Sequence, residues 1–151
     1  YAAKNYSKLY SQKGKEMFSL YPGIENTLKE LRKDDCKIAI ATQKHRMFTS
    51  DMLEVYDIAD LFDSVCATDV NTNLTKKDLI LQACEQTGVS VEDAILIGDS
   101  DVDAEGAEKA GIDFGAALYG WGFRSKEEAE KYNCKTYFNS ADEIFLKLSM
   151  L

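Results

Sequence analysis

The stretch that most constrains this chain runs from Ala94 to Asp103, Ala-Ile-Leu-Ile-Gly-Asp-Ser-Asp-Val-Asp. An unbroken apolar run, a glycine and then Asp99, Asp101 and Asp103 within five positions read as a buried strand that stops at a polar edge. Gly98 lets the chain turn where a side chain would obstruct a ligand, and the spacing of Ala104, Ala107 and Ala110 begins a helix. In an open parallel sheet the ligand crevice lies outside the carboxyl ends of the strands. Asp99 and Asp103 are four apart, so a helix starting near Ser100 lets both carboxylates point at one site. Two close carboxylates are costly unless a cation or hydrogen-bond donors neutralise them. A hard, oxygen-seeking ion, Mg2+ before Ca2+, meets that need. The plainer alternative is that Ser100, Asp101 and Asp103 only cap a helix and favour its positive end.

Composition bounds the rest. A chain of 151 residues is one domain by length, and a domain of this size buries roughly 70% of its unfolded surface. With 45% hydrophobic residues, one proline and no low-complexity tract, it is not a disordered chain. The net charge of -8 argues against nucleic acid, because phosphate backbones are bound by clustered Lys and Arg; an anionic substrate must meet a local positive patch. Cys36, Cys66, Cys84 and Cys134 are 30, 18 and 50 residues apart, which is no paired metal spacing, and they read as reduced thiols. No apolar stretch approaches the roughly 20 residues that span a membrane, so a soluble, cytoplasmic protein without a membrane partner is expected. The opening residues Tyr1 to Asn5 lack an initiator methionine, which suggests a chain that begins partway through a longer protein.

Taken in order, Tyr6, Leu9, Tyr10, Met17 and Phe18 form a loose helical stripe, Tyr21-Pro22-Gly23 punctuates, and Ile24 to Arg32 resumes helical spacing up to Asp34-Asp35. Cys36 to Ala41 is a short strand ending at Thr42-Gln43; Lys44 to Tyr56 is helical; Ser64 to Thr68 is a third strand. Thr75 opens a helix with an inward stripe of Leu79, Ile80, Ala83 and Cys84, closed by Gly88. Phe114 to Tyr119 is a further strand, Gly120 to Phe123 an aromatic loop, Ser125 to Tyr132 a charged helix, Lys135 to Phe138 a strand, and Ser140 to Leu148 a capped helix. Alternating strand and helix predict an α/β fold with a doubly wound, mostly parallel sheet.

Thr42, Lys76, Asp99 and Asp103 thus lie at strand or helix ends, in that order. A hydroxyl with backbone amides, an ammonium and a carboxylate for a metal are the groups that phosphoryl transfer uses. The order resembles the haloacid-dehalogenase-type phosphatases, in the phosphoglycolate phosphatase-like branch. Tyr21-Pro22-Gly23-Ile24, Ile40-Ala41-Thr42-Gln43-Lys44, Gly98 to Asp103 and Tyr119-Gly120-Trp121-Gly122 carry the likeness, over nearly all of the chain from Tyr21.

The resemblance implies a Mg2+-dependent phosphatase of a small phosphorylated metabolite, working through an aspartyl-phosphate. Thr42 would hold the phosphate with its hydroxyl and Gln43 with its backbone amide, against the alternative that Thr42 caps the next helix. Lys76 would neutralise nucleophile and phosphate, with Lys77 as the neighbour that could exchange roles with it. Asp99 would ligate Mg2+, and Asp103 would orient Lys76 or a metal water. His45, the single histidine, reads as surface or substrate rim, and Trp121 either as packed near the site entrance or as a core-edge aromatic.

One departure is large. The family opens with an Asp-x-Asp strand that carries the nucleophile and lies in the middle of the sheet, and no such strand precedes Tyr21. Residues 1–20 then read as a remnant of a helical cap domain and 21–151 as an incomplete core. This chain alone is expected to be inactive, its empty strand position filled by an upstream segment or a swapped copy. The alternative is a truncated, non-catalytic module that binds phosphate or a partner.

Overall fold

The computed structural model describes residues 19–151. The helical stripe expected through Tyr6 to Phe18 lies outside them.

The first helix, α1 (Ile24–Lys33), starts at Gly23, whose φ of 86° is left-handed and whose missing Cβ leaves room for the Asp142 carboxylate. Glu25 in its first turn and Arg32 and Lys33 in its last complement the helix dipole. Strand β1 (Ala39–His45) lies three residues later than its apolar run suggests. The displacement has a local cause: Asp63 accepts the Ile38 N–H at 2.9 Å through its carboxylate and donates its own N–H to the Ile38 carbonyl at 2.7 Å, so a side chain replaces the ladder before Ala39.

Helix α2 (Arg46–Val55) buries Thr49 and Leu53, and after a 3₁₀ turn at Ala59–Leu61 comes β2 (Ser64–Thr68). Helix α3 (Lys76–Thr87) is bounded by a capping box between Thr75 and Asp78 and by Gly88 at φ 70°. It buries Leu79, Ile80 and Ala83, as the stripe predicts. Strand β3 (Ile95–Gly98) runs to Ser100, which caps α4 (Asp101–Ala110), with Ala104 and Ala107 buried.

The chain then forms β4 (Asp113–Ala117), α5 (Lys126–Ala129), β5 (Thr136–Phe138) and α6 (Asp142–Leu148). Helix α5 is one turn rather than the longer helix its charges suggest, and Tyr132 beyond it packs on Phe123 with ring centroids 5.9 Å apart. Helix α6 has no side-chain cap from Ser140; the Asn139 N–H donates to Glu143 at 2.9 Å instead.

Every strand pair is parallel, and strands alternate with helices, so the fold is α/β of the doubly wound kind. Among the described residues the strands make two sheets, β1-β2 and β3-β4-β5, and β1 is not hydrogen-bonded to β3. The Ala94 carbonyl accepts from Asp113 N–H at 3.2 Å, which turns Ala94, Leu96 and Gly98 toward β4 and, by alternation, Ile95 and Ile97 away from it. All four residues of β3 are only half-buried, although their composition is that of a strand covered on both sides. The two sheets nonetheless share a core: Ile38 ahead of β1 and Ile97 of β3 pack on one cluster with Leu31, Phe138 and Ile144. All four cysteines are free, and Cys66 is fully buried.

Candidate active site

The carboxyl ends of β1 and β3 are joined by one side chain. Lys76, at the start of α3, donates from Nζ to the Ala41 carbonyl at 2.8 Å and pairs with Asp103 Oδ1 at 2.9 Å. Its side chain is 13% exposed and that of Asp103 14%, whereas Lys77 is exposed. Two close approaches bring this about. Gly106 on α4 lies against the Lys76 stem, where a Cβ would overlap it, and Gly98 leaves the space into which Asp103 folds back. A helix-propensity loss at Gly106 of about 1 kcal/mol relative to alanine is tolerated for that contact.

Asp103 is held from several sides. Its Oδ2 accepts from Ser100 Oγ at 2.8 Å and from the Asp99 N–H at 3.2 Å, while the Asp103 N–H donates to Ser100 Oγ at 3.3 Å. Its carboxylate therefore caps the turn after β3 and pairs with Lys76 at once. The expectation that Asp99 and Asp103 converge on one cation is modified here, because both oxygens of Asp103 have protein donors.

Asp99 is neutralised separately. Its Oδ2 accepts from the Trp121 N–H at 2.7 Å and the Gly122 N–H at 3.2 Å, and its carbonyl accepts from the Phe123 N–H at 2.6 Å. Tyr21 and Tyr119 stand close by, edge to face with centroids 5.0 Å apart. Burial and then the Tyr21 and Asp99 charges push the Tyr119 phenol up to about 12; burial and then Asp99 raise Tyr21.

Thr42 and Gln43 sit at a bulge. Thr42 pairs with Ala67 and His45 with Thr68, so Gln43 and Lys44 are extra residues pushed out of the ladder. Thr42 Oγ1 accepts from the Lys44 N–H at 3.1 Å, which leaves the hydroxyl proton to donate, and the Gln43 carbonyl accepts from Thr68 Oγ1 at 2.8 Å. The cap of α2 is His45 rather than Thr42: His45 Nδ1 accepts from the Met47 N–H at 3.2 Å, and Nε2 lies 3.5 Å from Asp69. The Trp121 ring is 92% exposed, in neither of the packed positions expected of it.

Thr42, Lys76, Asp99 and Asp103 are thus gathered at one edge of the fold, with Gln43 exposed beside them. Sequence reasoning missed Tyr21 and Tyr119 near Asp99, Gly106 behind Lys76 and the amides that clasp Asp99. The Gly-Trp-Gly sequence was the one local signal for the last. Among the described residues, no group of three or more His, Cys, Asp or Glu side chains is arranged to hold a metal. The donor set still fits Mg2+ held mostly by water: Asp99 Oδ1 accepts no hydrogen bond from the described residues, and a carboxylate oxygen is the ligand this ion takes.

Parallel strands alternating with helices, with a lysine, a hydroxyl and two carboxylates at the carboxyl edge, define a Rossmann-like α/β protein. The chain belongs to the haloacid dehalogenase-like hydrolase family, whose model matches residues 2–117. It is similar to the phosphoglycolate phosphatase of Vibrio cholerae, at 31% identity over 77% of this chain and 52% of that protein. A second such enzyme, from Cereibacter sphaeroides, is 32% identical over 79% of this chain and 53% of its own length. The chain spans about half the length of these curated relatives.

A structure from Clostridium acetobutylicum, described as that of a predicted phosphatase, superposes with a TM-score of 0.87 at 32% identity. The match covers 99% of this chain and 69% of that one. A haloacid dehalogenase-like family hydrolase from Streptococcus pneumoniae does so with 0.82 at 27% identity, over 97% of this chain and 68% of the other. No helix among the described residues is long and apolar enough to cross a membrane.

Proposed function

We propose that this chain supplies most of the core of a Mg2+-dependent phosphomonoesterase that acts on a small phosphorylated metabolite in the cytoplasm. The observation that carries the reading is the Lys76 ammonium. Two of its N–H groups are taken by Ala41 and Asp103, so it is fixed at the carboxyl end of the open edges with its third donor left for an anion. Phosphoryl transfer asks chiefly for positioning and charge stabilisation, and the remaining groups suit it. The Thr42 hydroxyl and the Gln43 backbone amide would hold phosphoryl oxygens, Lys76 their charge, and Asp103 the lysine. Asp99 Oδ1 would hold Mg2+, which when bound neutralises phosphoryl charge.

The attacking carboxylate is the missing part. We assign it to a strand that fills the edge of β3 facing away from β4, supplied by an upstream segment of a longer protein or by a second copy. On that strand it forms an aspartyl-phosphate, with Lys76 beside it. The likeness to phosphoglycolate phosphatases that extend well beyond the matched region supports this.

The test is Mg2+-dependent hydrolysis of an aryl phosphate by the 151-residue chain alone and by a longer protein that contains it. Turnover is expected only from the longer protein, and Lys76→Ala should remove it. Turnover by the chain alone that Lys76→Ala eliminates would reveal a nucleophile within it and overturn the assignment. A longer reading frame without an upstream Asp-x-Asp strand would favour a non-catalytic phosphate-binding module.

A further inference from the structure

Gly120 and Gly122 are not glycines for the sake of backbone conformation. The positive-φ glycines of the described residues are Gly23, Gly88 and Gly111, and neither member of the Gly-Trp-Gly turn is among them. Both are required by a close approach instead: a Cβ on Gly120 would overlap the Asp99 side chain, and one on Gly122 the Asp99 carbonyl. The turn is anchored on both sides. Before it, Tyr119 packs on Tyr21, and the Gly120 N–H donates to the Ala117 carbonyl at 3.1 Å. After it, Phe123 is 6% exposed and lies against Phe114, with centroids 6.4 Å apart. The Trp121 indole projects into solvent, so the part of this residue that meets Asp99 is its peptide N–H.

We infer that the Gly120-Trp121-Gly122 turn is the positioning element of Asp99. Its two N–H groups hold Oδ2, which fixes the carboxylate plane and reserves Oδ1 as the single coordinating atom. The inference rests on the reading of Asp99 as the metal-holding carboxylate. Its physical basis is that a ligating carboxylate is itself hydrogen-bonded, so that its orientation is set before the ion arrives and no rotamer freedom is lost on binding. The turn would thus bind neither substrate nor metal, and would set the affinity for the metal through Asp99.

The probe is Mn2+, followed by the relaxation of water protons, with Gly120→Ala, Gly122→Ala and Asp99→Asn compared with the parent chain. Each glycine variant should weaken Mn2+ by about 10- to 100-fold while its far-ultraviolet circular dichroism is unchanged. Independently of metal, the Trp121 and Gly122 amide protons should resonate at low field and exchange slowly, and Asp99→Asn should shift both. Glycine variants that bind Mn2+ like the parent while Asp99→Asn binds it more weakly, or amide resonances indifferent to Asp99→Asn, would overturn the inference. If a glycine variant does not fold, the amide measurement on Asp99→Asn decides alone. Amides that shift in Asp99→Asn while Mn2+ affinity stays the same would uphold the clasp and remove the metal reading, so the two can fail separately.

Discussion

Gly106 faces the Lys76 side chain so closely that a methyl group there would overlap its Cβ and Cγ. In an exposed helix Gly→Ala stabilises by about 0.8–1 kcal/mol, whereas overpacking a filled site destabilises by about 1–3 kcal/mol. The steric effect should win at this position, because Lys76 is held at its far end by Ala41 and Asp103 and its stem cannot swing aside. Gly106→Ala is therefore expected to lower the urea midpoint, and a raised midpoint would show that the stem has room to move.

The Lys76–Asp103 pair should be coupled rather than incidental. Exposed ion pairs give about 0–1 kcal/mol, but this one is largely shielded and shares a hydrogen-bond network with Ser100 and Asp99. A double-mutant cycle of Lys76→Met and Asp103→Asn should return a coupling of about 1.5–3 kcal/mol in unfolding experiments. A value within the error of additivity would mean that the two groups are not paired in solution.

Acid stability should depend on Asp63. The Ile38 N–H first, and then Arg32 at 2.6 Å, hold its carboxyl well below the usual range, at about 2. The ordinary value is about 3.9, so the folded state favours the ionised form; the stabilisation is complete above about pH 4 and is lost as pH falls through about 2. Allowing for solvent screening, it amounts to roughly 1–2 kcal/mol. Asp63→Asn should lower stability at neutral pH and flatten its decline between those values. An unchanged slope in denaturant titrations across the acid range would contradict the assignment.

Amide exchange should read out the open edge. Leu96 turns toward β4, while Ile95 and Ile97 turn away to an edge that no described residue pairs. In the isolated chain, Leu96 N–H should exchange slowly and its two neighbours fast, an alternation that a buried, fully paired strand would not show. A segment that fills the edge should slow all three. Uniform protection in the isolated chain would mean that the edge is already occupied.

The strand, turn and helix from Ala94 to Gly111 were legible in the sequence because every determinant is local. The apolar run, Ser100 as cap and the alanine spacing act over four residues or fewer. The same holds for Thr75 and Gly88 around α3. Lys76 could be chosen over Lys77 because helical register places it beside Leu79 and Ile80, which are buried.

What only the tertiary structure decided are the contacts between segments far apart in the chain. Asp99 meets amides 22 and 23 residues away, Lys76 meets a carbonyl 35 residues away, and Asp63 displaces the start of β1 from 25 residues away. No periodicity encodes these contacts. They follow from which backbone groups the packed sheets and helices leave unpaired at their ends, and from the polar side chains that come near enough to satisfy them.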